Sequence, residues 1–169
     1  MKKQLFIIRH AHAEDLGNSA MLRDFSRELT SKGIIQSARM GKFLKDSGVV
    51  IETFVSSPAN RAADTARIIM EQLKRDKDDL ILDENLYGGG PKGYLKAIND
   101  LENSVQSAAI FGHNPDISFF AEYLTRDDVG GGMKKATAIH LEFDGLSWAE
   151  LSGKSGSLIK RTDVDQLGY

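Results

Sequence analysis

Apolar residues follow two rhythms along this chain. Leu5-Phe6-Ile7-Ile8 is a continuous run with no alternation, the pattern of a strand buried on both faces of a parallel sheet. Residues 51–55, 80–82 and 108–111 predict three further short strands. Between these strands the apolar positions recur at helical spacing. Ile34, Ala38, Gly41 and Leu44 follow an N-cap at Thr30, and Gly48 ends that helix. Ala62, Ala66, Ile69 and Leu73 follow Ser57 as N-cap and Pro58 at the first helical position. Leu95, Ile98 and Leu101 mark a third helix face. Ile117, Phe120, Ala121 and Leu124 mark a fourth, opened by Asn114 as N-cap and Pro115.

The remaining stretches read as connections. Residues 13–24 are polar and irregular, residues 74–79 are a charged, solvated link, and Gly88-Gly89-Gly90-Pro91 predicts a loop. After the break at Gly130-Gly131-Gly132, Thr137, Ile139, Leu141 and Phe143 alternate as a strand should. Asp144-Gly145 then turns the chain into residues 147–151, which predicts an antiparallel hairpin on one edge of the sheet. The tail from Ser152 is polar and weakly patterned, and His140 on the edge strand reads as structural. Strands alternating with helices predict an α/β protein. Its form should be a three-layer α/β/α sandwich with a mostly parallel central sheet and no large cap insertion, in a single domain over residues 1–169.

Composition narrows the function. The chain is 41% hydrophobic and 27% charged with a net charge of −2, which gives no global basic field. Neither nucleic acid nor a membrane surface is an expected partner. No apolar run approaches the length of a membrane span, and Met1-Lys2-Lys3-Gln4 with four apolar residues behind it does not read as a signal peptide. With no cysteine, disulfides, a thiol nucleophile and a zinc–thiolate site are excluded, and a cytoplasmic protein is the expectation.

The candidate chemistry sits where strands end. The first strand stops at Arg9-His10, the helix after the second carries Arg61 in its first turn, and the fourth ends at His113. In a parallel sheet those junctions share one edge, so distant residues converge. Two arginines, two histidines and helix N-termini there suit an anion, since guanidinium forks match phosphate oxygens. Neighbouring guanidinium charge disfavours imidazolium and leaves the ring nucleophilic. Such an imidazole can attack phosphorus in line while the arginines hold the equatorial oxygens. A phosphohistidine would form and water would then hydrolyse it, with a carboxylic acid protonating an alkoxide leaving group. His10 and His12 also invite a metal reading. Alternation points such side chains to opposite faces, and no Asp/His cluster completes a set, so neither metal nor other cofactor is expected. The glycine triplets lack the Gly-Lys-Ser/Thr ending of a P-loop and read as turns.

Arg9-His10 after a buried strand, Ser56-Ser57-Pro58-Ala59-Asn60-Arg61-Ala62 with Thr65, and Gly112-His113-Asn114-Pro115 together resemble the histidine phosphatase superfamily. Within it, the short chain and Arg27-Glu28-Leu29-Thr30 with Gly33 resemble SixA-type phosphohistidine phosphatases, over residues 5 to about 151. The resemblance implies His10 as nucleophile, Arg9 and Arg61 as phosphoryl ligands, and His113 completing the phosphate pocket. It also implies an open, shallow pocket, because there is no room for a cap between the second and third strands. Two positions depart from the pattern. Ala11 replaces the usual glycine, and His12 stands where SixA-type proteins often carry an acid, so His12 becomes a candidate substrate contact. Glu84, just past the third strand, is the best-placed general acid by sequence.

The expected function is a metal-independent phosphatase acting through His10 on a phosphohistidine-carrying protein. The rivals are a small-molecule phosphomonoesterase and an inactive phosphate-binding regulatory module. A phosphorylated protein, such as a signalling or phosphotransfer domain, or a small phosphate ester would be the partner.

Overall fold

The computed structural model describes residues 1–15 and 24–168, so most of the loop predicted over 13–24 lies outside the described residues. Its centre is β1 (Lys2–Arg9), in which Leu5, Ile7 and Ile8 have no solvent exposure. The other strands are β2 (Thr53–Ser56), β3 (Ile81–Leu82), β4 (Ser107–Gly112), β5 (Ala138–Asp144) and β6 (Ser157–Thr162). They form one six-stranded sheet in the order β3-β2-β4-β1-β5-β6. The first four are mutually parallel, whereas β5 runs antiparallel to both β1 and β6. The C-terminal ends of β1, β2 and β4 therefore lie on one edge, as the apolar runs predicted.

Helices cover both faces, because alternate strand residues point to opposite sides. Phe6 and Ile8 pack with Phe54, Phe111, Met40, Leu44, Ile69 and Met70 under α1 (Ser31–Asp46) and α2 (Asn60–Gln72). Leu5 and Ile7 pack with Ile110, Tyr94, Ile98, Phe120 and Leu124 under α4 (Gly90–Asn99) and α5 (Asp116–Leu124). A single turn, α3 (Asn85–Gly88), precedes α4. Only residues 73–80 separate α2 from β3, which leaves no cap insertion there. No helix among the described residues is long and apolar enough to cross a membrane.

Several local expectations are corrected. The buried face of α1 is Gly33, Ser37, Met40, Gly41 and Leu44, while Ile34 is exposed. Small residues let this helix approach its neighbours, which outweighs apolarity in choosing the face. The glycine-rich stretch is no loop: Gly88 ends α3, Gly89 joins the two helices, and Pro91 sits in the first turn of α4, where a missing N–H costs nothing. Ser57 and Asn114 are not the N-caps, because α2 starts at Asn60 and α5 at Asp116. The second hairpin arm at 147–151 is a tight helical turn closed by a Ser147–Glu150 capping box. Its Trp148 is fully buried and donates from Nε1 to the Val105 carbonyl at 2.7 Å, so this segment plugs the core beside β4. The edge strand is instead β6, from the weakly patterned tail, and His140 on β5 lies one strand inside the edge.

Candidate active site

Arg9 and His10 sit at the C-terminal end of β1, next to Gly112 and His113 at the end of β4. The His10 amide donates to the Gly112 carbonyl at 3.0 Å, which locks the two strand ends in register. The rings of His10 and His113 lie 5.3 Å apart at 51°. Arg61, in the first turn of α2, is 6% exposed, and its charge acts on both histidines. The structure thus brings together all four residues predicted for the phosphate clamp.

Hydrogen bonding determines where the histidine protons sit. His10 Nδ1 lies 2.7 Å from the Ala11 carbonyl, an acceptor only, so Nδ1 carries the proton and Nε2 keeps its lone pair. Burial, then the charges of His113, Arg61 and Arg9, push its pKa down to about 3. The ring is therefore neutral at pH 7. His113 is held from two sides. Its amide donates to the Tyr94 hydroxyl at 2.9 Å, which in turn donates to the Leu86 carbonyl. Its Nε2 lies 2.7 Å from Ser57 Oγ, a hydroxyl that also accepts the Ala59 amide at 3.2 Å. The Ser57 proton has no other acceptor among the described residues, so it points at Nε2 and leaves Nδ1 of His113 as the N–H donor. Burial and Arg61 push the His113 pKa down to about 3 as well.

Three buried side-chain nitrogens have no partner among the described residues: Arg9 Nε, Arg61 Nε and His113 Nδ1. All three belong to the clamp. Unpaired buried donors cost roughly 1–3 kcal/mol each, so their concentration at one edge marks a place built for an acceptor. The outer edge of Arg61 is taken by Asp24, whose carbonyl and carboxylate accept at 2.7 and 3.1 Å. Asp24 also accepts from Arg27 at 3.1 Å and from the Tyr87 hydroxyl at 2.7 Å. Burial opposes its ionisation, but the bonds from Tyr87, Arg27 and Arg61 hold its pKa down to about 2. Asp24 is thus a fixed anion that holds both terminal nitrogens of Arg61 and leaves its buried Nε without a partner. The Tyr87 ring stands edge-on to His113 at 5.8 Å.

Other candidates lie differently. Ala11 is fully buried and its amide donates to Thr65 Oγ1 at 3.0 Å, which is itself tied to the Arg61 carbonyl. The extra methyl is accommodated in the core under α1 and α2. His12 bonds Thr30 Oγ1 through Nδ1 at 2.7 Å, at the start of α1, and none of the clamp residues. Glu84 is exposed at the head of α3. Among the described residues, no group of three or more His, Asp or Glu side chains is arranged to hold a metal ion. Sequence reading missed the parts played by Ser57, Asp24, Tyr87 and Tyr94. Ser57 carried a signal, four residues before Arg61, but it was spent on a cap.

The profile of the histidine phosphatase superfamily (branch 1) matches residues 5–87. A 2,3-bisphosphoglycerate-dependent phosphoglycerate mutase of Thermoplasma acidophilum is 33% identical over 113 residues, 65% of this chain and 54% of the mutase. The matched stretches span between 9% and 54% of the lengths of the curated relatives. Among solved structures, the protein histidine phosphatase SixA complexed with tungstate superposes with a TM-score of 0.79 at 22% identity, covering 96% of this chain and 97% of that one. A mycobacterial glucosyl-3-phosphoglycerate phosphatase follows at 0.69 and 16%, covering 94% and 98%. These likenesses show a shared fold.

Proposed function

Because this chain belongs to the histidine phosphatase superfamily, we propose that it is a phosphatase using His10 as nucleophile, with phosphohistidine in a protein as its substrate. The observation that carries this reading is the set of three unpartnered buried donors around a neutral His10. Arg9 Nε, Arg61 Nε and His113 Nδ1 supply N–H groups for the phosphoryl oxygens. They strengthen as charge develops there, because the donors are buried from solvent. His10 Nε2 attacks phosphorus in line and the P–N or P–O bond to the leaving group breaks, with the leaving group taking up a proton. Water then attacks the phosphorus of phospho-His10, releasing orthophosphate and restoring neutral imidazole. The Nδ1–H bond to the Ala11 carbonyl stabilises the positive charge that the ring carries when phosphorylated.

Substrate choice rests on shape and leaving group. The chain between α2 and β3 is short, so a phosphorylated side chain on a large partner can reach the clamp. Imidazole leaves more readily than an alkoxide, so a phosphohistidine needs less help from an acid than an ester does. Glu84 remains the proposed proton donor for ester substrates. The alanine variant of His10 should lose turnover by at least about a thousandfold while keeping its circular dichroism spectrum. Rapid acid-free quench of wild type should trap an acid-labile phosphoenzyme that the variant lacks. Turnover retained by the variant would sink the mechanism, and a panel favouring sugar phosphates over phosphohistidine peptides would sink the substrate.

A further inference from the structure

Four aromatic rings stand in a row from the proposed nucleophile to solvent. His10 and His113 are 5.3 Å apart, and Tyr87 lies 5.8 Å from His113, edge-on at 80°. Phe25 lies a further 5.3 Å from Tyr87, again edge-on at 81°. Each step is the spacing of an aromatic pair. Exposure climbs along the row. His10 is buried, whereas Tyr87 is 38% and Phe25 47% exposed. Neither outer ring belongs to the apolar clusters on the two faces of the sheet, so core packing does not account for their place.

Both outer rings are fixed to clamp residues by polar bonds. The Tyr87 hydroxyl donates to the Asp24 carboxylate at 2.7 Å, and Asp24 holds Arg61. Beside Tyr87, the buried Leu86 accepts through its carbonyl from the Tyr94 hydroxyl that receives the His113 amide. Phe25 directly follows Asp24, and the Ser26 carbonyl accepts from Asn60 at the start of α2 at 3.2 Å. The turn at 24–26 and α3 are far apart in sequence, yet one is tied to Arg61 and the other to His113. Two half-exposed rings held rigidly at that place leave apolar surface that a third ring would cover. The Tyr87 amide also donates to the Glu84 carbonyl at 3.0 Å, which sets the proposed proton donor at the head of the same turn.

Resting on the phosphate clamp proposed above, we propose that Phe25 and Tyr87 form the leaving-group subsite, which takes a flat aromatic ring bonded to the phosphoryl group. The imidazole of phosphohistidine is the ring that the phosphohistidine reading supplies. Tyr87 is the ring next to His113, so a ring bonded to phosphorus in the clamp starts beside it. An alkyl leaving group offers no π-face to pack there.

Calorimetric titration with methyl-, cyclohexyl- and phenylphosphonate tests this without turnover, since their P–C bond is not cleaved. Wild type should bind phenylphosphonate about fivefold tighter than methylphosphonate, and tighter than cyclohexylphosphonate. Phe25→Ala should bring the phenyl-to-methyl ratio close to one, and Phe25→Trp should restore it. Phe25 lies outside the core, so these variants probe the ring without unfolding the chain. Equal binding of phenyl- and methylphosphonate by wild type overturns the subsite, as does a ratio that Phe25→Ala leaves unchanged. Cyclohexylphosphonate binding as tightly as phenylphosphonate overturns the preference for a flat ring. If neither orthophosphate nor any phosphonate binds, the clamp falls and the subsite falls with it. Turnover is read separately. A phenylphosphonate preference in a protein that cleaves phosphotyrosine but no phosphohistidine peptide overturns the phosphohistidine reading and keeps the subsite.

Discussion

The proposed nucleophile, His10, owes its protonation state to one carbonyl and one burial. The Ala11 oxygen accepts from Nδ1–H, and desolvation beside two guanidinium groups keeps a second proton away, with the pKa down near 3. Long-range ¹H–¹⁵N spectra should therefore show His10 and His113 as neutral Nδ1–H tautomers at pH 5, where an ordinary histidine is charged. The same shift has a stability consequence of definite sign. The unfolded chain protonates both rings near pH 6.5 and the folded chain does not, so folding stability is full above that pH. It falls as pH drops toward about 3. Urea midpoints measured between pH 7 and pH 4 should decline accordingly, and a flat profile would contradict the shifts. Ser57 acts through His113, so Ser57→Ala should lower kcat about tenfold with a smaller change in KM. Restoring the hydroxyl with Thr should recover part of that loss in steady-state assays. Arg9, His10, Arg61 and His113 were legible because each stands where a strand ends or a helix begins. Asp24, Tyr87 and Ser57 were not, since their parts depend on contacts between elements far apart in sequence, such as the Tyr87–Asp24 bond across 63 residues.

Among the elements, β1 and the start of α1 set the geometry of the site. Gly33 allows α1 to rest on the His12 carbonyl, and Thr30 caps the helix while bonding the His12 ring. Gly33→Ala would drive a methyl into backbone that cannot rotate away. A loss of about 2 kcal/mol, or roughly 4–8 °C in Tm by calorimetry, is the expected outcome. Gly88→Ala serves as the control, because nothing lies within 4 Å of its added methyl. Equal melting of the two variants would refute the close-packing account. The elements also show why some of the fold was readable and some was not. Buried on both faces, β1 and β4 are written as unbroken apolar runs. The edge strand β6 buries little, so its residues carry no alternation to find. Trp148 was read as part of a strand because apolarity says that a residue is buried, and says nothing of whether the backbone around it is extended.

At the scale of the whole molecule, the fold and the proposed anion site are coupled. Strand order was beyond reach of periodicity, because β4 inserts between β1 and β2 only through the crossovers of the helices. That insertion is what sets His113 against His10, and with it the clamp exists only in the folded chain. Four residues from β1, α2 and β4 share the site, so an oxyanion bound there stabilises the packing of all three elements at once. Any ligand that binds only the native state adds RT ln(1 + [L]/Kd), about 2.7 kcal/mol at a hundred times Kd. For a chain of 169 residues this corresponds to a rise in Tm of roughly 5–10 °C. Orthophosphate or tungstate should produce that rise in a thermal-shift assay, above a chloride control of equal ionic strength. Arg61→Ala should abolish most of it, since the variant removes one of the unpartnered donors and one of the two cations that pair with Asp24. A phosphate-dependent shift of the same size in wild type and Arg61→Ala would place the anion elsewhere on the molecule.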